Sequence, residues 1–321
     1  MDGRARVGGV APNPFCYSGV VEAPSLLLDR DSLERLERLA LRWQQSFRGL
    51  LGGNNLSRYA GVGHEFLDHR HFYPGDDLRS VNWRAYLRLE KLFLKMFQTE
   101  PRAPVRLWID TSESMACGGS GPGEAKFTFA CRLAAALCYV GLVRLETIMI
   151  QPFCDGLGEG FRSQGGRHRF APASQFISGL RTGGRSDFVA AAKEFLARAP
   201  APGLLIVFSD FLDEGDCPRA LEYLAGQRQE LLLVQIAGPD DLNPSWQGDF
   251  EMIDAESGEV LRLQVGSAAR EQYAAAYAEH CRRIEYAALR HGGRYLHLST
   301  DTPLSDVLYT GLVSAGSMSL Q

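Results

Sequence analysis

Val105-Arg106-Leu107-Trp108-Ile109-Asp110-Thr111-Ser112-Glu113-Ser114-Met115 opens as a short apolar run and closes on an acid and two hydroxyls at alternate positions. A buried strand would carry that cluster to the edge of a sheet. Asp110, Ser112 and Ser114 could then converge on one hard cation. Downstream, apolar strands alternate with helical stretches. Residues 146–153, 203–209, 230–237 and 294–298 read as strands, and 126–143, 187–199, 218–228 and 267–291 as helices. Residues 167–171 read as a short edge strand and 174–180 as a short helix. Strands alternating with helices imply a mostly parallel sheet covered on both faces, and the absence of polar alternation along the strands fits that burial.

The fold expected is therefore α/β, a doubly wound mostly parallel sheet, with a small N-terminal helix-plus-β subdomain. Residues 1–30, rich in Gly and Pro, read as a flexible arm. Residues 31–103 read as a helix opened by an Asp31/Glu34 capping box, followed by short extended pieces. Residues 104–314 read as the main domain, with a β-hairpin insertion near 250–265.

Composition narrows the function classes. Hydrophobic residues make up 45% of the 321 and charged residues 22%, which supports an ordinary core and excludes global disorder. A net charge of −4 argues against a protein-wide nucleic-acid surface. The seven cysteines are odd in number and form no CxxC pair, so core thiols in a reducing compartment are expected rather than disulfides or a zinc module. The N-terminus lacks a signal-peptide pattern, and the apolar run 133–143 is shorter than the roughly 20 residues that cross a bilayer. A cytoplasmic protein is expected.

Two further clusters have bland explanations. His64, His69 and His71 invite a metal reading, but no matching Cys/His cluster follows them. Residues 73–84 place acids and arginines around Trp83, as either an ion-pair network or a second contact surface.

In open α/β sheets, ligands bind beyond the carboxyl ends of the strands, where strand order reverses. Two apolar strands end in acids, Asp110 and Asp210, and the loop 183–187 adds a hydroxyl and a carboxylate before a helix. The candidate set is Asp110, Ser112, Ser114, Ser186 and Asp210. All five offer oxygen, which suits Mg²⁺ or Mn²⁺ and not zinc. Three neutral hydroxyls leave charge on such an ion uncompensated, so it would seek a carboxylate or phosphate from outside. The competing explanation is that these residues are helix caps.

Asp110-Thr111-Ser112-Glu113-Ser114-Met115 resembles the DxSxS motif of von Willebrand factor A-like domains, whose metal-ion-dependent adhesion site also uses a loop threonine and a later strand-end aspartate. Ser209-Asp210 matches the latter, and Ser186 stands where threonine is usual. The resemblance implies that Ser112, Ser114 and the loop hydroxyl touch the ion directly, while the aspartates act through water. A narrower resemblance rests on Phe72-Tyr73-Pro74-Gly75-Asp76-Asp77-Leu78-Arg79-Ser80-Val81-Asn82-Trp83-Arg84, on residues 105–115, and on Asp254-Ala255-Glu256-Ser257-Gly258-Glu259. It is to the bacterial domain-of-unknown-function family 58, over about residues 30–310. That family contains a von Willebrand-like domain and is often encoded beside MoxR-type AAA+ ATPases. Some relatives carry N-terminal membrane helices, and without one here a soluble form is expected.

The function expected is a metal-dependent binding adaptor whose Mg²⁺ or Mn²⁺ engages an acidic group on a MoxR-type ATPase or its client. The chain lacks a GxxxxGK[ST] loop, so it should not hydrolyse ATP itself. The alternatives are a metal-dependent hydrolase of a phosphate or acyl compound, and a scaffold with a vestigial site.

Overall fold

A computed structural model describes residues 22–23, 27–29, 32–34, 36, 65–71, 83, 86–87, 91–98, 104–117, 124–198, 200–213, 215–242, 244, 247–253 and 260–308. Contacts divide the chain into two units, one of residues 54–102 and one of residues 1–53 with 103–321.

In the smaller unit, β1 (Glu65–His71) pairs antiparallel with β2 (Phe93–Gln98), with an irregularity in register between Phe66 and Asp68. Most of residues 72–90 lie outside the described residues, as do the side chains of His64, His69 and His71. Trp83 is exposed and meets Tyr86 edge-on at 6.2 Å.

The larger unit is built on six strands. They are β3 (Val105–Asp110), β4 (Thr147–Phe153), β5 (Phe161–Gln164), β6 (Gly203–Ser209), β7 (Gln229–Ala237) and β10 (Arg294–Ser299). Their order across the sheet is β10-β7-β6-β3-β4-β5. All pairings are parallel except β4 with β5. The chain enters at β3 in mid-sheet, leaves by β4 on one side and returns to β6 on the other. Strand order therefore reverses beside β3, and both strand-end acids flank the reversal. The α/β doubly wound class is as expected.

The helices are α1 (Lys126–Val143), α2 (Phe170–Ser178), α3 (Phe188–Ala197), α4 (Cys217–Gly226) and α5 (Ser267–Arg290). Side-chain alternation along the strands assigns them to faces. Leu107, Ile109, Leu204, Ile206 and Val234 join the α1 and α2 side chains in one core. Trp108, Leu205, Val207 and Leu233 join α3, α4 and the C-terminal part of α5 in the other.

α1 is buried nearly all round, which suits a helix whose residues are apolar on every side. By length and composition α1 could cross a membrane, but most of it is packed inside this core. On the opposite face Trp108 lies 5.2 Å from the Phe195 ring, 5.9 Å from Phe153 and 6.2 Å from Phe188. Truncating such a residue typically costs about 3–5 kcal/mol. Caps set two helix starts. The Asp187 carboxylate accepts from the Ala190 N–H at 2.8 Å, and Asp216 accepts from the Arg219 N–H with Pro218 in the first turn.

Several expectations need correction. Residues 167–171 do not form an edge strand. Arg167–Arg169 is a single 3₁₀ turn that runs into α2, and the edge strand is β5. Gly165 and Gly166, at φ 89° and 81°, turn the chain out of β5 and into that turn. The segment around residue 30 goes with the large sheet, because Leu27, Leu28 and Leu36 are buried in the α1 core. The helix there is capped by Asp29, whose carboxylate accepts from the Ser32 N–H at 2.9 Å. Asp31 and most of residues 37–53 lie outside the described residues. The hairpin near 250–265 is present as β8 (Gly248–Ile253) against β9 (Val260–Val265), and its tip lies outside the described residues.

Candidate metal centre

Three strand-end loops are sewn together by backbone hydrogen bonds at the carboxyl edge of β3. The Thr111 N–H and hydroxyl both donate to the Phe153 carbonyl, at 2.9 and 3.0 Å. The Gly183 N–H donates to the Thr111 carbonyl at 2.8 Å, and the Glu113 N–H to the Gly184 carbonyl at 3.0 Å. The Asp187 N–H donates to the Cys154 carbonyl at 2.7 Å. Gly184 has φ 83°, a conformation an L side chain would resist, so glycine is what lets the 183–187 loop fold back over Glu113. Met115, fully buried, anchors the short 3₁₀ turn that follows Ser112.

Within this frame Asp110 is completely buried. Its Oδ1 accepts from the Ser112 N–H at 2.9 Å. Its Oδ2 accepts from the Ser186 hydroxyl at 3.2 Å and from the Ser209 hydroxyl. The Ser112 and Ser114 hydroxyl oxygens are 3.0 Å apart. Burial, and next the charge on Asp210, push the Asp110 carboxyl well above the usual carboxylate range; hydrogen bonds from Ser209 and Ser112 work the other way. Four of the five expected residues thus lie together, Ser112 and Ser186 on Asp110 and Ser114 on Ser112.

The fifth, Asp210, is also buried at the end of β6, but its surroundings differ. The Lys126 ammonium donates to its Oδ2 at 2.7 Å, and the Leu212 N–H donates to its Oδ1 at 3.2 Å. Lys126 is itself only 2% exposed and lies 3.5 Å from Oδ2 of Asp241, which also accepts from the Gly238 N–H. Burial opposes the ammonium, but the Asp210 and Asp241 charges outweigh it and its pKa is raised. The lysine is therefore a permanent cation inside the cluster.

Supporting contacts hold the β6 end in place. The Gln235 amide donates to the Asp210 carbonyl at 2.9 Å and accepts from the Tyr295 hydroxyl at 2.6 Å. The Phe211 N–H donates to the Ser209 oxygen, so that hydroxyl bridges both strand ends. Phe211 has φ 53° and is buried, and its carbonyl is 2.8 Å from His280 Nε2 on α5.

Sequence reasoning did not find Lys126, Asp241, Gln235 or the bridging role of Ser209. Lys126 carried one signal, as the lone charge at the start of an apolar helix.

Among the described residues there is no cluster of three or more His, Cys, Asp or Glu side chains that could hold a metal. The gathered donors are instead one carboxylate and three serine hydroxyls, Ser112, Ser114 and Ser186. That oxygen-only set fits a small hard cation which keeps several waters. The departure is Asp210, whose two oxygens are already engaged by an ammonium and an amide.

The family model for "Protein of unknown function DUF58" matches residues 68–283. The uncharacterized proteins Mb1516 of Mycobacterium bovis and Rv1480 of Mycobacterium tuberculosis are each 26% identical over 297 residues, covering 90% of this chain and 93% of their own length. Among solved structures, the conserved hypothetical protein BatB from Bacteroides thetaiotaomicron aligns with TM-score 0.38 and 14% identity, over 67% of this chain and 98% of its own. The SpRpn10 VWA domain aligns with TM-score 0.37 and 10% identity, over 64% and 93%.

Proposed function

This chain belongs to the family described as Protein of unknown function DUF58, and from that premise we propose that it is a metal-dependent adaptor that binds an acidic group on another protein. The observation that carries this reading is the gathering of Ser112, Ser114 and Ser186 around the buried carboxylate of Asp110 at the point where strand order reverses. Ser112, Ser114 and Ser186 would hold Mg²⁺ or Mn²⁺ directly, with Asp110 orienting them and bearing the nearest negative charge. When bound, the ion supplies an electrophilic position whose natural fourth partner is a carboxylate, because three neutral hydroxyls and one acid leave its charge uncompensated.

A binding role is favoured over hydrolysis by what surrounds the set. Both carboxylates are buried, Asp110 accepting from three donors and Asp210 from an ammonium and an amide, so neither is presented to an outside substrate as a base would be. The partner we propose, from the family resemblance, is a MoxR-type AAA+ ATPase or its client, met in the cytoplasm.

The test is capture of a purified MoxR-type ATPase from the same genome by the immobilised full chain, in Mg²⁺ or in excess chelator. Wild-type chain retains the ATPase in Mg²⁺ and releases it in chelator, and Asp110→Ala fails in both. Equal retention in chelator refutes the metal-dependent reading.

A further inference from the structure

We propose that Lys126 is the affinity-setting residue of this ion site, a built-in cation that occupies Asp210 and Asp241 and confines any divalent ion to the Asp110 side. The inference rests on the metal-dependent reading above and concerns a residue outside the oxygen set.

Three observations carry it. The ammonium sits 2.7 Å from Asp210 Oδ2 and 3.5 Å from Asp241 Oδ2, with both the lysine and Asp210 side chains only 3% exposed. Water is thus poorly placed to screen it, and a buried unit charge acts over many ångströms. The other oxygen of Asp210 accepts from the Leu212 N–H, so both oxygens are engaged and the acid's charge is offset by the ammonium before any ion arrives. Finally, Ser209, the residue before Asp210, donates to Asp110, so the lysine's partner is the chain neighbour of a residue that touches Asp110.

The physical consequence is a weak ion site by design of charge. An incoming divalent ion meets one carboxylate without a cationic partner, Asp110, while the ammonium offsets the charge of Asp210 beside it. A second negative group must come from outside for the ion to be held firmly. A carboxylate-bearing partner would meet that need, and ion and partner would then bind cooperatively.

The experiment is calorimetric titration of the full chain with MnCl₂, and separately MgCl₂, for wild type, Lys126→Met and Lys126→Met/Asp210→Asn. Lys126→Met is expected to bind Mn²⁺ at least about tenfold tighter than wild type, because Asp210 is released and the repulsion removed. The double variant removes the pair as a unit and is expected within about threefold of wild type. It also provides a folded comparison if the single variant, left with a buried uncompensated acid, does not fold.

Unchanged or weaker Mn²⁺ binding by Lys126→Met overturns the inference while leaving the metal-dependent reading standing, provided wild type binds. Loss of binding in the double variant also overturns it, since Asp210 would then be holding the ion in the presence of Lys126. Binding by Lys126→Met alone, and not by wild type, supports the inference, since the wild-type site then needs the partner's carboxylate to hold its ion. No binding by any of the three overturns the inference, whereas the metal-dependent reading falls on equal capture of the ATPase in chelator.

Discussion

β3 and β6 are neighbours, and each ends in a buried aspartate, yet the two carboxylates keep opposite company. Asp110 is wrapped by donors that carry no net charge: two serine hydroxyls and one backbone N–H. Asp210 is neutralised by an ammonium that reaches it from the first turn of α1. The same residue type at equivalent strand ends thus has two electrostatic fates. The neutral wrapping holds Asp110 in place but leaves a charge for an ion to find. The ion pair gives Asp210 a cationic partner, although its charge is still felt at Asp110.

The largest break in this contrast should come from deleting the cation. Lys126→Met leaves Asp210 buried and unpaired, which typically costs about 3–5 kcal/mol. Urea unfolding in chelator should show that loss and should show most of it restored by adding Asp210→Asn. Full stability in the single variant would mean that the ion pair contributes nothing to the fold.

Next is the pH profile. The folded pKa of Asp110 is raised by burial and by the charge on Asp210. Folding therefore takes up a proton at this site. Its contribution is neutral below the unfolded value near 4, becomes unfavourable as pH rises through the raised folded value, and stays unfavourable above it. Asp110→Asn should abolish that slope and stabilise the metal-free chain at pH 8 by on the order of 2 kcal/mol. Melting temperatures from pH 4 to 8 in chelator would reveal it. A mutant whose profile runs parallel to wild type would refute the assignment.

The hydroxyls should rank below both acids. Ser209 donates to Asp110 and accepts from the Phe211 N–H, so Ser209→Ala orphans that buried N–H and strips Asp110 of one of its three donors, and should cost about 1–3 kcal/mol. Ser186→Ala removes one hydroxyl at 3.2 Å and should cost about 0.5–1.5 kcal/mol. The comparison is by denaturant midpoint with unchanged slope. A reversed order would place Ser186, and not Ser209, as the main support of Asp110.

The two strand ends also differ in how far they could be read from sequence. Asp110, Ser112 and Ser114 lie within five residues of one another behind an apolar strand, so their convergence follows from local geometry. Asp210 and Ser186 needed only the further expectation that strand order reverses between the two acids. Lys126 was illegible for a physical reason. A lysine opening a helix ordinarily extends into water, and nothing in residues 118–125 tells that α1 begins beneath the strand ends. Asp241 was hidden likewise, because Pro239-Asp240-Asp241 reads as a solvated turn. Residues 167–171 misled in the other direction, since their arginines and histidine lack helical amphipathicity, while Phe170, 5.1 Å from Tyr139, packs the segment onto α1.

The pairing of β3 with β6 also sets a timetable. Ser209 and Asp110 are separated by 99 positions in the chain, and β3 has no partner on that side until β6 exists. At about 5–20 residues per second of synthesis, roughly 5–20 s pass between the emergence of the two halves. During that interval the nascent chain holds Val105–Asp110, apolar apart from Arg106 before its final acid, with one backbone edge open. The centre of the sheet is made early and closed late, so its open edge is exposed for as long as the ribosome takes to reach β6.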